Sequence, residues 1–195
     1  GKRIAWSPNL GHIPVEPEVE QSAANAALAF QELGCTVEPL DVDLPDPAPI
    51  LEVLYAAFQS GAHGLRPESE LAEMDPELVK IIEFGKQFTS VDMGQAAIAR
   101  ARYWEAMRQI FQTYDLLLTP TIGVPPFELG IVGPTTVNGT PVVHLGWTLC
   151  YPFNYTGQPA ATVPCGFTAD GLPIGLQIIG RRFDDATVLQ AAAAF

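Results

Sequence analysis

The run Asp115-Leu116-Leu117-Leu118-Thr119 constrains the fold of this chain more than any other segment. It is apolar without alternation, and Pro120 stops it after a handful of residues. A run this short reads as a strand buried on both faces. The start of the chain supplies neighbours for such a strand. Ile4-Ala5-Trp6 reads as a strand, and Pro17 sits at a first helical position with Glu18 and Glu20 in the first turn. Apolar residues then recur at helical spacing at Val19, Ala23, Ala26, Phe30 and Leu33, and Gly34 is a stop. Cys35 to Leu40 reads as a second strand, and the length of the connection makes the two a parallel pair joined by a crossover helix.

The middle of the chain is helical. Asp41, Asp43 and Asp46 lie in a Pro-rich loop, and Ile50 to Ala62 has helical composition. Asp75 followed by Pro76 marks an N-cap and a first helical position. Ser90 is read as the cap of a long helix to about Thr113, with Ala97, Ala101, Trp104, Met107, Phe111 and Tyr114 on its inner face. From Pro120 to Gly146 there is no periodicity, and a loop of that length is usually functional or disordered. Thr162 to Cys165 and Ile174 to Ile179 read as strands around an Asp170-Gly171 turn. Asp184 or Asp185 caps a last helix with Val188, Leu189 and Ala192 inward.

Composition limits the function classes. The net charge is -12, from 22 acidic against 10 basic residues. That balance excludes phosphate-rich nucleic acid as the expected partner, and an anionic membrane surface as well. Cys35, Cys150 and Cys165 are odd in number and fit no zinc spacing, which suits a reducing, cytoplasmic compartment. No apolar run approaches a membrane span. The first residues do not form a signal peptide. The chain starts directly in a strand and stops inside a helical pattern, which reads as a fragment.

Chemistry is harder to find. None of Ser7, Ser22, Ser60, Ser69 and Ser90 has a nucleophile-elbow context. Lys80 and Lys86 sit in an amphipathic stretch that places them toward water, whereas a catalytic lysine must be held neutral by burial or a nearby cation. His12, His63 and His144 form no metal pattern. Cys150 with His144 is a conceivable nucleophile pair, yet Leu149, Tyr151 and Pro152 around the thiol describe a packed small hydrophobe. No calcium loop, P-loop or dinucleotide motif is present, so no cofactor is expected.

Three ordered segments carry a resemblance. Asp115 to Thr121 reads D-hydrophobic-TPT, Phe153 to Ala160 reads FN-x-x-G-x-PA, and Gly171 to Gly180 contains GLP-x-G-x-Q. In this order they resemble the C-terminal part of amidase signature enzymes, and the N-terminal strand–helix–strand is similar to the start of that part. The resemblance implies an α/β fold: a mixed sheet covered by helices, the C-terminal part of the amidase signature fold. It implies one domain over 1–195, with a strand–helix–strand at 2–45, a helical part at 50–114, and a sheet and pocket-loop part at 115–195.

The resemblance also implies amide C–N hydrolysis by serine acyl transfer in a full-length enzyme acting on a small amide. The family's two serines and its lysine lie upstream of these segments, so no catalytic residue is expected here. The expected partner is a missing N-terminal catalytic half, and an uncovered sheet edge favours self-association. Thr119, Thr121, Trp147, Phe153 and Asn154 are the expected pocket residues, although Trp147 and Phe153 read equally as core. Asn154, Gly157, Pro159 and Gly175 suit either a backbone or a pocket role. The alternative function is a natural, non-catalytic interaction or regulatory subunit with the same half-fold.

Overall fold

β1 (Arg3–Trp6), α1 (Pro17–Glu32) and β2 (Thr36–Pro39) form the expected strand–helix–strand in the computed structural model, which describes residues 1–40, 44–142 and 145–195. β1 and β2 pair in parallel, Ile4 opposite Val37. Four helices follow: α2 (Ala48–His63), α3 (Glu68–Leu71), α4 (Pro76–Gly85) and α5 (Ser90–Thr113). The chain then forms β3 (Leu116–Pro120), β4 (Thr136–Val137), β5 (Thr140–Pro141), α6 (Tyr151–Thr156), β6 (Ala160–Phe167), β7 (Pro173–Gly180) and α7 (Asp185–Ala194). No helix among the described residues is long and apolar enough to cross a membrane. Asp41, Asp43 and His144 lie outside the described residues.

Two units are distinguishable, Gly1–Pro45 with Glu105–Phe195, and Asp46–Trp104. The first holds a mixed five-stranded sheet of order β2-β1-β3-β7-β6. β3 lies parallel to β1, β7 antiparallel to β3, and β6 antiparallel to β7. Strand alternation sorts the side chains onto two faces. On one, Ile4, Leu116, Leu118, Leu176 and Ile178 pack with Ala23, Ala27 and Phe30 of α1 and Val188 of α7. On the other lie Ala5, Leu117, Thr119, Gln177 and Ile179, all buried. The central β3 is therefore buried along its whole length, as its unbroken apolar run requires.

The second unit is helical. Asp75 caps α4 by accepting from the backbone N–H groups of Glu77 and Leu78, with Pro76 at the first position. α4 lies against α2 closely enough that a Cβ on Gly85 would stand 1.9 Å from the carbonyl oxygen of Ala56.

Four sequence expectations are corrected. Thr89, not Ser90, caps α5: its Oγ1 accepts from the Asp92 N–H at 3.2 Å, and its own N–H donates to Asp92 Oδ2 at 2.8 Å. This is a capping box, and Thr89 holds the Asp92 carboxyl below the usual carboxylate range. The inner face of α5 is corrected in part: Met107 and Phe111 are buried as expected, Ala96, Tyr103 and Ile110 are buried beside them, and Ala97 and Ala101 are exposed. Alanine repeats at both phases of this stretch, so alanine positions alone could not set the register. Leu189 is exposed on α7, where Val188 alone is fully buried. Finally, the Pro120–Gly146 stretch is not without structure. β4 and β5 form a hairpin around Asn138-Gly139, whose φ values of 45° and 74° suit a two-residue turn.

Candidate functional site

Several hydrogen bonds fasten the strand end of β3. Thr119 stands opposite Gln177 across the antiparallel pair. Both face away from the aliphatic layer and are buried, so each needs a polar partner. Gln177 Nε2 donates to Thr119 Oγ1 at 3.1 Å and to the Leu149 carbonyl at 3.2 Å. One buried amide thus clasps the strand to the segment at 145–150.

Thr121 continues the same junction. Its N–H donates to the Gly175 carbonyl at 2.9 Å, and its hydroxyl donates to Thr162 Oγ1 at 3.3 Å. Its carbonyl accepts from the Leu149 N–H at 3.2 Å and the Cys150 thiol at 3.1 Å. Gly175 permits this: a Cβ there would stand 2.8 Å from Thr121 Oγ1 and 2.9 Å from Thr162 Cγ2. The close approach of these two threonines accounts for glycine at this position. Beyond Thr121, a bridge between Ile122 and Thr148 and a 2.7 Å bond from the Gly123 N–H to the Trp147 carbonyl keep the two segments together.

Trp147 meets Phe127 edge to face, ring centroids 5.3 Å apart at 88°. Phe153, in contrast, is 2% exposed in α6, with Tyr151, Pro152 and Thr156 also buried. Asn154 on the same helix is exposed. Gly157 ends α6 with φ of 70°, and its N–H returns to the Phe153 carbonyl, which is the backbone role. Of the five expected pocket residues, the structure brings Thr119, Thr121 and Trp147 together around the β3 end. Phe153 belongs to the packing of α6, and Asn154 to its open side.

Other candidate groups are engaged elsewhere. Ser7 Oγ accepts from the Leu10 N–H at 2.9 Å, and Ser22 Oγ donates to the Cys165 carbonyl at 3.3 Å. Lys80 pairs with Glu77, and Lys86 with Glu83 at 2.6 Å, all on exposed helix surface. Burial pushes the Cys150 thiol above the ordinary thiol range, so it stands as a protonated donor to Thr121 rather than as a nucleophile. All three cysteines are free. No cluster of three or more metal-ligating side chains occurs among the described residues.

Two features of the site go beyond the residues expected from sequence. Gln177 stands out as the one polar residue in an apolar run, and its parity with Thr119 across an antiparallel pair is what unites them. The Asn138-Gly139 dipeptide is a hairpin signal inside a stretch otherwise rich in Pro and Gly.

Comparison with known proteins follows the same lines. The Amidase family model matches residues 1–189. An acylamidase of Rhodococcus erythropolis is 37% identical over the whole chain, which covers 42% of that protein. A glutamyl-tRNA(Gln) amidotransferase component from Syntrophomonas wolfei is 30% identical over the whole chain and 44% of its own length. The crystal structure of a bacterial aryl acylamidase of the amidase signature family superposes with a TM-score of 0.88 at 31% identity, over 100% of this chain and 43% of that one. The chain spans less than half the length of the relatives it matches.

Proposed function

The chain belongs to the amidase family, and we propose that it is the C-terminal part of an enzyme that hydrolyses amide C–N bonds by serine acyl transfer. In that reaction a serine oxygen attacks the amide carbonyl, the amine leaves with a proton, and water then releases the acid from the serine ester. The chain supplies a wall of the substrate cleft and none of the covalent chemistry. The proposed wall is Thr119, Thr121 and Trp147 at the β3 end, with Phe153 and Asn154 contributed by α6.

One observation carries this reading. The family model fits residues 1–189, yet Ser7, Lys80 and Lys86 have their polar groups engaged by near neighbours in the chain, and Ser22 has its hydroxyl on the Cys165 carbonyl. That pattern supports a nucleophile and base supplied by a partner segment, the N-terminal catalytic half. The β6 edge, which carries no charged residue from Ala160 to Phe167, is compatible with a covering partner. Free cysteines and the acidic balance suit a cytoplasmic enzyme of small amides.

The native gene product, isolated from its own cells, tests this by mass and by reaction with a serine-directed fluorophosphonate. The expected result is a species heavier than 21.0 kDa that is labelled and releases amine from an amide substrate. A 21.0 kDa species that is neither labelled nor active would overturn it in favour of a non-catalytic role.

A further inference from the structure

Resting on that reading, we infer that Glu16 is a positioning residue of the cleft wall: its carboxylate latches the β4–β5 hairpin beside Trp147. Glu16 sits at the N-cap of α1, where the first turn offers free N–H groups and a positive dipole end. Its side chain makes no cap there. Oε1 instead accepts from the backbone N–H of Asn138, 122 residues further along the chain, at 2.8 Å. A carboxylate drawn past the helix at its side to the tip of a distant hairpin serves the hairpin.

The tip is shaped to present that N–H. Asn138 and Gly139 have φ of 45° and 74°, the conformation of a two-residue hairpin turn. Val137 is fully buried, whereas Thr136, Asn138, Gly139, Thr140 and Pro141 are exposed. With so little of the hairpin covered, a bond to an ionised acceptor, the stronger class of hydrogen bond, weighs heavily in where it lies.

The same residue reaches the wall through its backbone. The Glu16 N–H donates to the Gly123 carbonyl, and the Gly123 N–H to the Trp147 carbonyl, both at 2.7 Å. Gly123 is pressed between the two segments: a Cβ there would stand 2.5 Å from the Pro14 carbonyl oxygen and 3.3 Å from that of Trp147. The hairpin returns to the same tryptophan from the other side. The Thr135 carbonyl accepts from the Val142 N–H at 3.0 Å, and Gly133, two residues before Thr135, lies against the Trp147 indole. Glu16 thus fixes the backbone of Trp147 through Gly123, and the cover of its ring through the hairpin. The Asn138 bond can break while the Gly123 path stays intact. The hairpin then shifts and Gly133 with it. A wall displaced in this way weakens substrate binding and leaves the covalent step untouched.

Two substitutions separate these parts. Glu16→Ala removes the charge and the oxygen; Glu16→Gln removes the charge but keeps an oxygen for the Asn138 N–H. Any response of α1 to the lost charge is common to both. The chain labelled with nitrogen-15 is followed by nuclear magnetic resonance, and Trp147→Phe assigns the Trp147 indole signal against those of Trp6 and Trp104. In Glu16→Ala the Asn138 N–H is expected to exchange with solvent about tenfold faster, the factor one hydrogen bond carries. The Trp147 indole signal is expected to move and the other two to stay. Glu16→Gln is expected to restore most of the slow exchange and the Trp147 position. Unchanged Asn138 exchange or an unmoved Trp147 signal in Glu16→Ala, or Glu16→Gln behaving as Glu16→Ala, overturns the latch. In the native full-length product, Glu16→Ala is expected to raise KM for an amide several-fold with kcat nearly unchanged, and Glu16→Gln to bring KM back. An unchanged KM in Glu16→Ala overturns the positioning role. Exchange is read without turnover, so the failures separate. A native product that hydrolyses no amide, with the exchange effects present, sinks the hydrolase reading alone. Amide hydrolysis with unchanged exchange sinks the latch alone.

Discussion

Two helices of equal length show how differently the two units use their apolar residues. α1 and α2 each have 16 residues. α1 buries Val19, Ala23, Ala26, Ala27 and Phe30, because the sheet face beside it presents Ile4, Leu116, Leu118, Leu176 and Ile178. α2 is the more apolar sequence, with Ile50, Leu51, Val53, Leu54, Tyr55 and Phe58, yet only Ala56 is fully buried. Phe58 is 69% exposed, against 2% for Phe30. An apolar stripe is therefore an offer of burial, and its worth depends on what is laid against it. The sheet-bearing unit has a full opposing layer; the helical unit carries apolar surface beyond what its own helices cover.

The largest test of that contrast is a pair of truncations. Phe30→Ala removes a fully packed ring that also stacks on Phe195 at 5.4 Å, and should cost about 3–5 kcal/mol. Phe58→Ala removes a ring facing solvent and should change stability by no more than about 0.5 kcal/mol. Urea unfolding, followed by circular dichroism, gives both values. Equal costs would break the comparison, since Phe58 would then be covered in solution by something other than its own unit.

A second pair separates contact from exposure inside the helical unit. Gly85→Ala forces a Cβ against the Ala56 backbone and should destabilise the α2–α4 packing by roughly 1–3 kcal/mol. Gly61, also helical, has nothing within 4 Å of where its Cβ would be. Gly61→Ala should stabilise by about 0.5–1 kcal/mol, through the helix propensity that glycine lacks. A destabilising Gly61→Ala would mean that this side of α2 is occupied.

Below these lies the α4 cap. Asp75→Ala leaves the Glu77 and Leu78 N–H groups without their side-chain acceptor and should cost about 1 kcal/mol. The measurement is local: amide hydrogen exchange should quicken in the first turn of α4 and stay unchanged in β3. Acceleration in both places would show the two units unfolding together.

Much of this is legible in the sequence, and the exceptions share a cause. Strand β3 declares itself by an unbroken apolar run, the Asp75-Pro76 cap by residue type, and the parallel β1–β2 pair by the length of its connection. Each of those signals is local, carried by neighbours in the chain. The register of α5 is not legible, because alanines at 96, 97, 99 and 101 offer the core several phases and only Tyr103 and Met107 settle which one wins. The clasp of Gln177 on Thr119 and Leu149 joins residues 58 and 28 positions apart. Such a contact exists only once strand order fixes who stands opposite whom. A leucine at 189 suggests an inward side chain, but α7 turns Val188 to the sheet, and one position along a helix swings a side chain by about a quarter turn.

The smallest expected effect probes the tightness of the sheet-bearing unit by thiol chemistry. Burial raises the Cys150 thiol above its ordinary range, and burial likewise raises Cys165, with the Ser22 hydroxyl working weakly the other way. The folded state thus holds these protons more firmly than the unfolded chain. By linkage, the associated stability is whole below the ordinary thiol pKa and falls as pH climbs through the raised values. Stability should accordingly decline above about pH 9. At about pH 8, iodoacetamide should modify Cys150 and Cys165 several-fold more slowly in the native chain than in urea, because the reactive species is the thiolate. Mass spectrometry of peptides containing each cysteine gives the rates. If Cys150 reacts as fast folded as unfolded, the segment at 145–150 opens freely, and the clasp by Gln177 does not hold it. If Gln177→Leu alone brings the Cys150 rate up to the unfolded value while Cys165 stays slow, the clasp is what keeps the strand end closed. The difference between the units then comes down to a buried polar contact as well as to apolar layers.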